Sequence, residues 1–240
     1  MLCWVVHGRF FGGLKLLFAI LVATVFVACN GNDLNRGDES LRIGDYKRAA
    51  KNFSKVLDVE PTNRDARYGL AIAYYAIAED KERIKENTLP LWERTVREFK
   101  ILSAVDSSEK IKPMYSTSLF YLARAMLSAN DHAKVLSLLD QSIQLDPENY
   151  FSYNLKALIL SGQGDVEEAK KIYAYIVTRE PKFASAYVNL GNLYWNARDY
   201  ESAWDIWSMG REALPQDAVL AKWTRIAEDS LKAMVYSGKL

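Results

Sequence analysis

Apolar residues follow two different patterns along this chain. Residues 16–28 form an unbroken run of apolar or small residues, LLFAILVATVFVA, with Arg9 and Lys15 before it. Further along, apolar positions recur at helical spacing between polar ones, as in the amphipathic stretch Asp217–Tyr236. Such spacing places the apolar side chains on one face of a helix. The pattern predicts an apolar leader followed by amphipathic helices.

Proline recurs at a fixed spacing in the second half of the chain. Pro147, Pro181 and Pro215 stand 34 residues apart. A repeat of this length is typical of an array of helical hairpins, in which each hairpin buries its apolar face against its neighbours. Because proline lacks a backbone N–H, it ends a helix rather than continuing it. We therefore expect each of these prolines to lie at the end of a hairpin.

The residues between the prolines resemble the tetratricopeptide repeat (TPR), a helix–turn–helix unit. The match is strongest in residues 184–217, good in 150–183 and weaker in 116–149. In the strongest repeat the matching residues are Tyr187, Leu190, Gly191, Tyr194, Asp199, Tyr200, Ala203, Trp207 and Pro215. Upstream, Gly44-Asp45-Tyr46 resembles the turn of a further repeat, in which the aspartate caps the second helix.

The resemblance implies an all-α fold, a TPR helical-hairpin solenoid over residues 40–236. We expect about five hairpins and a C-terminal capping helix. The hairpins are expected near residues 30–63, 64–115, 116–149, 150–183 and 184–217, with the cap at 217–236.

The second of these hairpins is longer than the others. Residues 64–115 number 52, which is 18 more than the repeat length. We expect the extra residues to extend the hairpin through Asp80–Thr88, before a second helix around Pro90–Ser103. Pro90 suits the first turn of that helix, and Pro113 is expected to close the hairpin.

The apolar run near the N-terminus predicts a secretory signal. A basic segment followed by a short apolar run is the pattern of such signals. As a helix, residues 16–28 would span only about 20 Å, which is short of the roughly 30 Å hydrocarbon core of a bilayer. A transmembrane helix remains the alternative if residues from Phe10 onward are recruited.

The residues that end this run resemble the bacterial lipobox. Val25-Phe26-Val27-Ala28 precede Cys29, and Asn30 follows it. The resemblance implies a lipoprotein signal peptide at residues 1–28 and a diacylglycerol group on Cys29, with an acyl chain such as palmitate on the new N-terminus. Residues 29–39 would form the lipidated N-terminus and a short tether. By the rule of enteric bacteria, the lack of an aspartate at position 30 favours the outer membrane, facing the periplasm. The alternative is an ordinary cysteine that ends a plain secretory signal.

Charge and composition argue against several classes of protein. The leader contains Arg9 and Lys15 and no acid, so the rest of the chain carries 29 basic and 30 acidic residues. A nucleic-acid-binding protein usually has a basic excess, and we expect no nucleic acid among the partners. Outside the leader the only cysteine is Cys29 and the only histidine is His132. No nucleophile elbow, phosphate loop or dinucleotide motif is present. We therefore expect no catalytic residues, no metal site and no cofactor.

In TPR arrays the first helices of the hairpins line a concave face that binds a protein or peptide. In the register of the repeat, the resemblance implies the candidate residues Tyr68, Tyr75, Phe120, Arg124, Phe151, Asn154, Asn192 and Trp195. Aromatic side chains offer a large anchoring area at low entropic cost, and asparagine can both donate and accept hydrogen bonds. Asparagine is also common in the repeat itself, so a purely structural role for Asn192 stays open.

These observations predict a non-catalytic TPR scaffold that is anchored in the bacterial cell envelope and binds a protein or peptide partner. Two alternatives stay open. One is a periplasmic receptor that binds a small ligand for a transporter, and the other is a structural lipoprotein that associates with itself.

Overall fold

The computed structural model describes residues 32–84, 86–105, 109–129 and 131–236. The predicted signal peptide and Cys29 lie outside the described residues. Within them the chain is all-α, as predicted, with eleven α-helices in a hairpin array. The helices are α1 (32–42), α2 (Tyr46–Val59), α3 (Arg64–Arg83), α4 (Leu89–Val105), α5 (Lys112–Ala125), α6 (His132–Leu145), α7 (Tyr150–Gln163), α8 (Val166–Arg179), α9 (Ala184–Asn196), α10 (Tyr200–Ala213) and α11 (Ala218–Tyr236).

Two of the turns between the helices of a hairpin share one arrangement, whereas Asp165 at the start of α8 makes no side-chain capping bond. The Asp45 and Asp199 side chains accept hydrogen bonds of 3.1 Å from the backbone N–H groups of Arg48 and Ser202. The predicted capping of α2 by Asp45 is thereby confirmed, and Asp199 caps α10 in the same way. The residue before the aspartate has a left-handed backbone, with φ of 76° at Gly44 but 64° at Arg198. A residue that has a Cβ atom is strained in this backbone conformation, whereas glycine is not.

The described residues divide into two compact units, the first ending at residue 105 and the second beginning at Glu109. In the first unit, α2 packs on α3 and α3 packs on α4. The core lies around Phe53, which is fully buried. A Cβ atom at Gly37 or Gly69 would overlap the Phe53 ring, so α1 and α3 approach α2 closely because both positions are glycine.

Helix α1 corrects one prediction. Residues 32–39 lie in this helix, whereas we expected residues 29–39 to form a tether. The physical reason is packing: Leu34 and Leu41 lie against the apolar cluster that contains Phe53. The helix therefore belongs to the first hairpin from residue 32 onward.

The long second hairpin has the predicted form. Its extra residues lengthen α3 to 20 residues and α4 to 17, and Pro90 lies in the first turn of α4. The indole Nε1 of Trp92 donates a 3.0 Å hydrogen bond to Glu82, which also accepts from the Thr88 hydroxyl. These bonds tie the end of α3 to the start of α4.

Pro113 corrects a second prediction. It lies in the first turn of α5, which begins at Lys112, so it does not close the preceding hairpin. The boundary between the second and third hairpins consequently lies before residue 112 rather than between residues 115 and 116. A proline is compatible with a first turn because its missing N–H would have no partner inside the helix.

In the second unit, consecutive helices from α5 to α11 pack against one another. Trp207 on α10 is fully buried, and a Cβ atom at Gly191 on α9 would overlap its indole ring. On α11, Trp223 stacks on Trp207 with a ring-centroid distance of 5.2 Å, and Leu220 is buried in the same cluster. The predicted capping helix is thereby confirmed.

A buried polar network links α6 to α5 and to the start of α7. The hydroxyl of Ser142 lies 2.8 Å from that of Ser116 and 2.7 Å from that of Ser152. The Asn149 side chain donates to Ser116 at 2.9 Å. Because these groups bond to one another, their burial does not leave them unsatisfied.

Among the helices of the described residues, none is both long and apolar enough to cross a bilayer.

Candidate functional site

A row of three phenylalanines crosses the first helices of the second unit. We call Phe120, Phe151 and Phe183 the aromatic row. Phe120 belongs to α5, Phe151 to α7, and Phe183 is the residue that precedes α9. The ring centroids of Phe120 and Phe151 are 5.9 Å apart, and those of Phe151 and Phe183 are 5.2 Å apart at an angle of 71°. Helix α7 contacts both α5 and α9, which brings the three rings together.

The middle of the row is open to solvent. The side chain of Phe151 is 61% exposed and that of Leu158 is 52% exposed. The two residues are seven positions apart on α7 and therefore lie on the same face of the helix. Single exposed apolar residues are normal on a protein surface, whereas a contiguous group of them indicates a binding surface. This face of α7 can bury apolar groups of a partner.

The row is bordered by charged groups of both signs. The guanidinium of Arg124 lies over the Tyr121 ring at 4.7 Å and over the Phe120 ring at 5.7 Å, which holds a positive charge at one end of the row. At the other end, an open groove of about 290 Å³ is lined by Glu148, Tyr150, Phe151, Glu180, Lys182 and Phe183. An extended segment along the row would therefore meet apolar rings in the middle and charges at both ends.

The tyrosines next to the row stay neutral at physiological pH. Burial, together with the neighbouring Tyr175, raises the pKa of Tyr153 to about 12. Burial also raises the pKa of Tyr150. Their hydroxyl groups can donate and accept hydrogen bonds but add no charge to the surface.

Three stretches of the chain match profiles of the tetratricopeptide-repeat family. They cover residues 41–82, 138–171 and 184–203. The chain is also 28% identical over 111 residues to the small glutamine-rich tetratricopeptide repeat-containing protein 2 of Mycosarcoma maydis. That match covers 45% of this chain and only 30% of the relative.

The chain is a tetratricopeptide-repeat protein.

Solved structures of other TPR proteins share the fold. A MamA protein matches with a TM-score of 0.55 at 18% identity, over 79% of this chain and 94% of that one. YrrB, described as a TPR protein with an unusual peptide-binding site, matches with a TM-score of 0.55 at 19% identity, over 80% of this chain and 90% of YrrB. The C-terminal part of a TPR protein from Cytophaga hutchinsonii has a TM-score of 0.58 at 14% identity, over 83% of this chain and 72% of that one. At these identities the likeness shows the fold alone.

The TPR register brings together only some of the predicted site residues. Phe120, Arg124 and Phe151 meet in or beside the aromatic row. Asn154 lies on the same helix as Phe151, and its side-chain oxygen accepts a 3.0 Å hydrogen bond from the Asn189 side chain of α9. This bond fixes the orientation of both amides. Asn192 is half-buried on α9.

Trp195 has a different environment from the row. Its ring centroid is 4.7 Å from that of Tyr200 and 5.7 Å from that of Trp207, and it packs on the apolar cluster around Trp207. The side chain is half-buried, so only part of its ring is available to a partner. Contact of Trp195 with a partner stays a prediction.

The two predicted residues of the first unit lie on α3. Tyr68 is 42% exposed. Tyr75 is half-buried and makes an edge-to-face contact with Trp92 at 5.6 Å. In this unit Tyr68 offers the more accessible aromatic surface.

Sequence reasoning missed Phe183. This residue precedes α9 and so falls outside the repeat positions from which the candidates were chosen. Its signal in the sequence is an aromatic residue two positions after Pro181, in the connection that leads into the next first helix.

Proposed function

We propose that this protein is a non-catalytic TPR scaffold in the bacterial cell envelope, anchored through a lipid on Cys29 and facing the periplasm. Its partner is a protein or peptide segment that binds across α5, α7 and α9. The observation that carries the binding site is the aromatic row, whose central ring is 61% exposed while being in contact with an aromatic neighbour on either side.

The chemistry of the row favours a peptide segment with apolar anchors. Aromatic rings give a large contact area with few rotatable bonds, so they lose little entropy on binding. Leu158 extends the apolar surface along α7, and Arg124 provides a cation at its edge. The charged groups lie only at the two ends of the row, with Glu148, Glu180 and Lys182 opposite Arg124. Apolar contacts in the middle would therefore supply most of the affinity.

The proposed anchor rests on the sequence around Cys29. The short apolar run, the basic residues before it and the small residue Ala28 support cleavage and lipidation at this cysteine. Several acyl chains are needed for stable anchoring because a single chain binds a membrane only marginally. Mass spectrometry of the N-terminal peptide from the membrane fraction tests this part. An unmodified Cys29 in the mature protein would contradict it.

The binding site is tested by photocrosslinking in cells. A photoreactive residue replaces Leu158 in one variant and Met209 on α10 in the control. The two native side chains have nearly equal exposure, 52% and 51%, but only Leu158 lies on α7, the helix that carries Phe151. We expect one dominant protein adduct from position 158 that is absent from position 209.

The same assay shows whether the row itself binds the partner. Replacing Phe151 by serine should lower the adduct yield at position 158 by roughly tenfold, which is the effect of losing one strong interface contact. The matched change Met209→Ser should leave the yield unaltered. Equal yields of the same adducts from positions 158 and 209 would contradict the proposal. A lack of any protein adduct at either position would favour the small-ligand receptor.

A further inference from the structure

The first hairpin begins almost directly after the proposed anchor. Helix α1 starts at residue 32, three positions after Cys29. Consecutive Cα atoms are about 3.8 Å apart, so three steps reach at most roughly 11 Å. If Cys29 carries the lipid, the start of α1 must lie close to the bilayer surface. The surface chemistry of α1 and α2 then decides how the protein meets the membrane.

These two helices border an open basic groove. Its cavity volume is about 820 Å³, and no aromatic residue lines it. The charged residues of the lining are Arg36 and Glu39 on α1, Asp45 in the turn, and Lys47, Arg48, Lys51 and Lys55 on α2. The groove therefore has five cations and two carboxylates in its walls.

The carboxylates are already engaged by cations. Glu39 accepts hydrogen bonds of 2.8 and 2.6 Å from Arg42. Asp45 caps α2 and lies 3.3 Å from the Arg48 guanidinium. Beside the groove, Asp33 lies 3.6 Å from both Arg36 and Lys55. The positive charge of the groove consequently exceeds what the neighbouring acids balance.

Lys47 and Lys51 provide the clearest part of this excess. They are four positions apart on α2, so they lie on one face of the helix, and both are exposed. Among the described residues no carboxylate pairs with either ammonium group. Lys55 continues the same row one turn further on.

We propose that this basic face of the first hairpin rests on anionic phospholipid headgroups. The inference depends on the anchor of the proposed function, which brings the groove to the membrane, and adds a second, electrostatic contact. Lysine and arginine near an anionic leaflet are attracted to it within a Debye length, and one lipid signal combined with a basic patch gives firmer binding than either alone. An anionic lipid surface fits because it is the nearest large negative body once Cys29 is anchored.

The test uses the mature, lipidated protein reconstituted in vesicles. Cleavage of the leader would remove Cys3, and the diacylglycerol group would block the thiol of Cys29. An introduced cysteine would then be the only free thiol. A fluorophore is attached through Asn35→Cys, which lines the groove, or through Asn196→Cys, at the exposed end of α9. Quenching by a headgroup-attached quencher is compared between phosphatidylcholine vesicles and vesicles that also contain phosphatidylglycerol.

We expect stronger quenching of the Asn35→Cys label in the anionic vesicles, lost at high salt, and no such dependence at Asn196→Cys. The double charge reversal Lys47→Glu with Lys51→Glu should abolish the anionic enhancement. The control reversal of two exposed lysines in the second unit, Lys134→Glu with Lys171→Glu, makes the same change in net charge and should preserve it.

The outcomes separate this inference from the anchor. An unacylated Cys29, found by mass spectrometry before reconstitution, would remove the anchor on which the inference rests. If the protein floats with both kinds of vesicle but the label at position 35 is quenched equally in both, the anchor stands and the basic contact is overturned. That second result is also expected if the groove binds an acidic protein segment instead of lipid.

Discussion

The core around Phe53 in the first compact unit and the core around Trp207 in the second share one design. In both, a large aromatic residue on the second helix of a hairpin is fully buried against glycine on a first helix. Phe53 lies against two glycines, Gly37 and Gly69, on consecutive first helices. Trp207 has Gly191 on one side and the ring of Trp223 on α11 on the other. The capping helix thus replaces a glycine contact by aromatic stacking.

The exposed surfaces of the two units differ although their cores are alike. The first hairpin presents a groove bordered by five cations, whereas α7 in the second unit presents Phe151 and Leu158 to solvent. In a repeat array each hairpin contacts only its neighbours, so the buried positions must recur while the outward positions are free to vary. The repeat therefore sets the packing, and the positions between the packed residues set the binding chemistry.

Removing either aromatic core residue should produce the largest effect. We expect Phe53→Ala and Trp207→Ala each to lower the free energy of unfolding by about 3–5 kcal/mol, because each leaves a large cavity. Chemical denaturation followed by circular dichroism measures the change. A loss below about 1 kcal/mol for one variant only would show that the two cores are not equivalent.

Substituting the glycines that contact these rings should have the next largest effect on stability. Gly69→Ala and Gly191→Ala place a methyl group where the ring lies and should cost about 1–3 kcal/mol through overpacking. Gly162 on α7 is the matched control, since nothing lies within 4 Å of a Cβ atom there. Gly162→Ala should stabilise by roughly 0.5–1 kcal/mol because alanine is the better helix former. Stabilisation by all three variants in thermal denaturation would refute the close packing.

Substituting Arg198 should have a smaller effect, and one that raises the free energy of unfolding. Arg198 has a φ of 64°. At the equivalent position in the turns of other hairpins, Gly44 and Gly164 have φ of 76° and 96°. Arg198→Gly should stabilise the protein by about 1 kcal/mol because it removes the strain of a left-handed side-chain-bearing residue. The reciprocal change Gly164→Arg should destabilise by a similar amount. Equal stability of wild type and both variants would mean that the turns do not share this requirement.

Removing the hydroxyl of Tyr173 should have the smallest effect on the free energy of unfolding at neutral pH. Tyr173 is the buried aromatic residue on α8 that corresponds to Phe53 and Trp207, and burial raises its pKa from 10.0 to about 12, which Asn189 partly opposes. Tyr173 therefore ionises at a lower pH in the unfolded chain than in the folded one. The free energy of unfolding is unaffected by this group below pH 10 and falls as the pH rises from about 10 to 12.

Tyr173→Phe should lack this alkaline loss, which amounts to at most about 1.4 kcal/mol per pH unit. The free energy of unfolding is measured at several pH values between about 9 and 11, on either side of the ordinary tyrosine pKa. Parallel pH profiles for the variant and the wild type would show that Tyr173 titrates normally.

Much of the fold could be predicted because the repeat is local. The 34-residue spacing of prolines, the Asp-Tyr turns and the amphipathic C-terminal stretch each depend on residues within one hairpin. Pro113 shows the limit of that reasoning. A proline is compatible with both the end of one helix and the first turn of the next, and only the packing of α5 decides between the two.

The candidate site was less predictable because it depends on contacts between helices. Register alone identified Phe120, Arg124 and Phe151, which do lie together. It did not find Phe183, which joins the row from the residue before α9. It also could not show that Trp195 packs on Trp207 and Tyr200, since those partners belong to another helix.

The repeat, the helical class and the position of the capping helix follow from the sequence alone, because spacing along the chain sets which residues share a helix face. The sequence also supplies the basis for the proposed anchor at Cys29. Which exposed side chains meet depends instead on the packed helices. Their packing produces the aromatic row at three first helices and the basic groove that α1 and α2 form from residue 32 onward. The physical reason is that contacts between helices depend on their separation and rotation, which glycine contacts such as those of Gly37 and Gly191 fix in three dimensions.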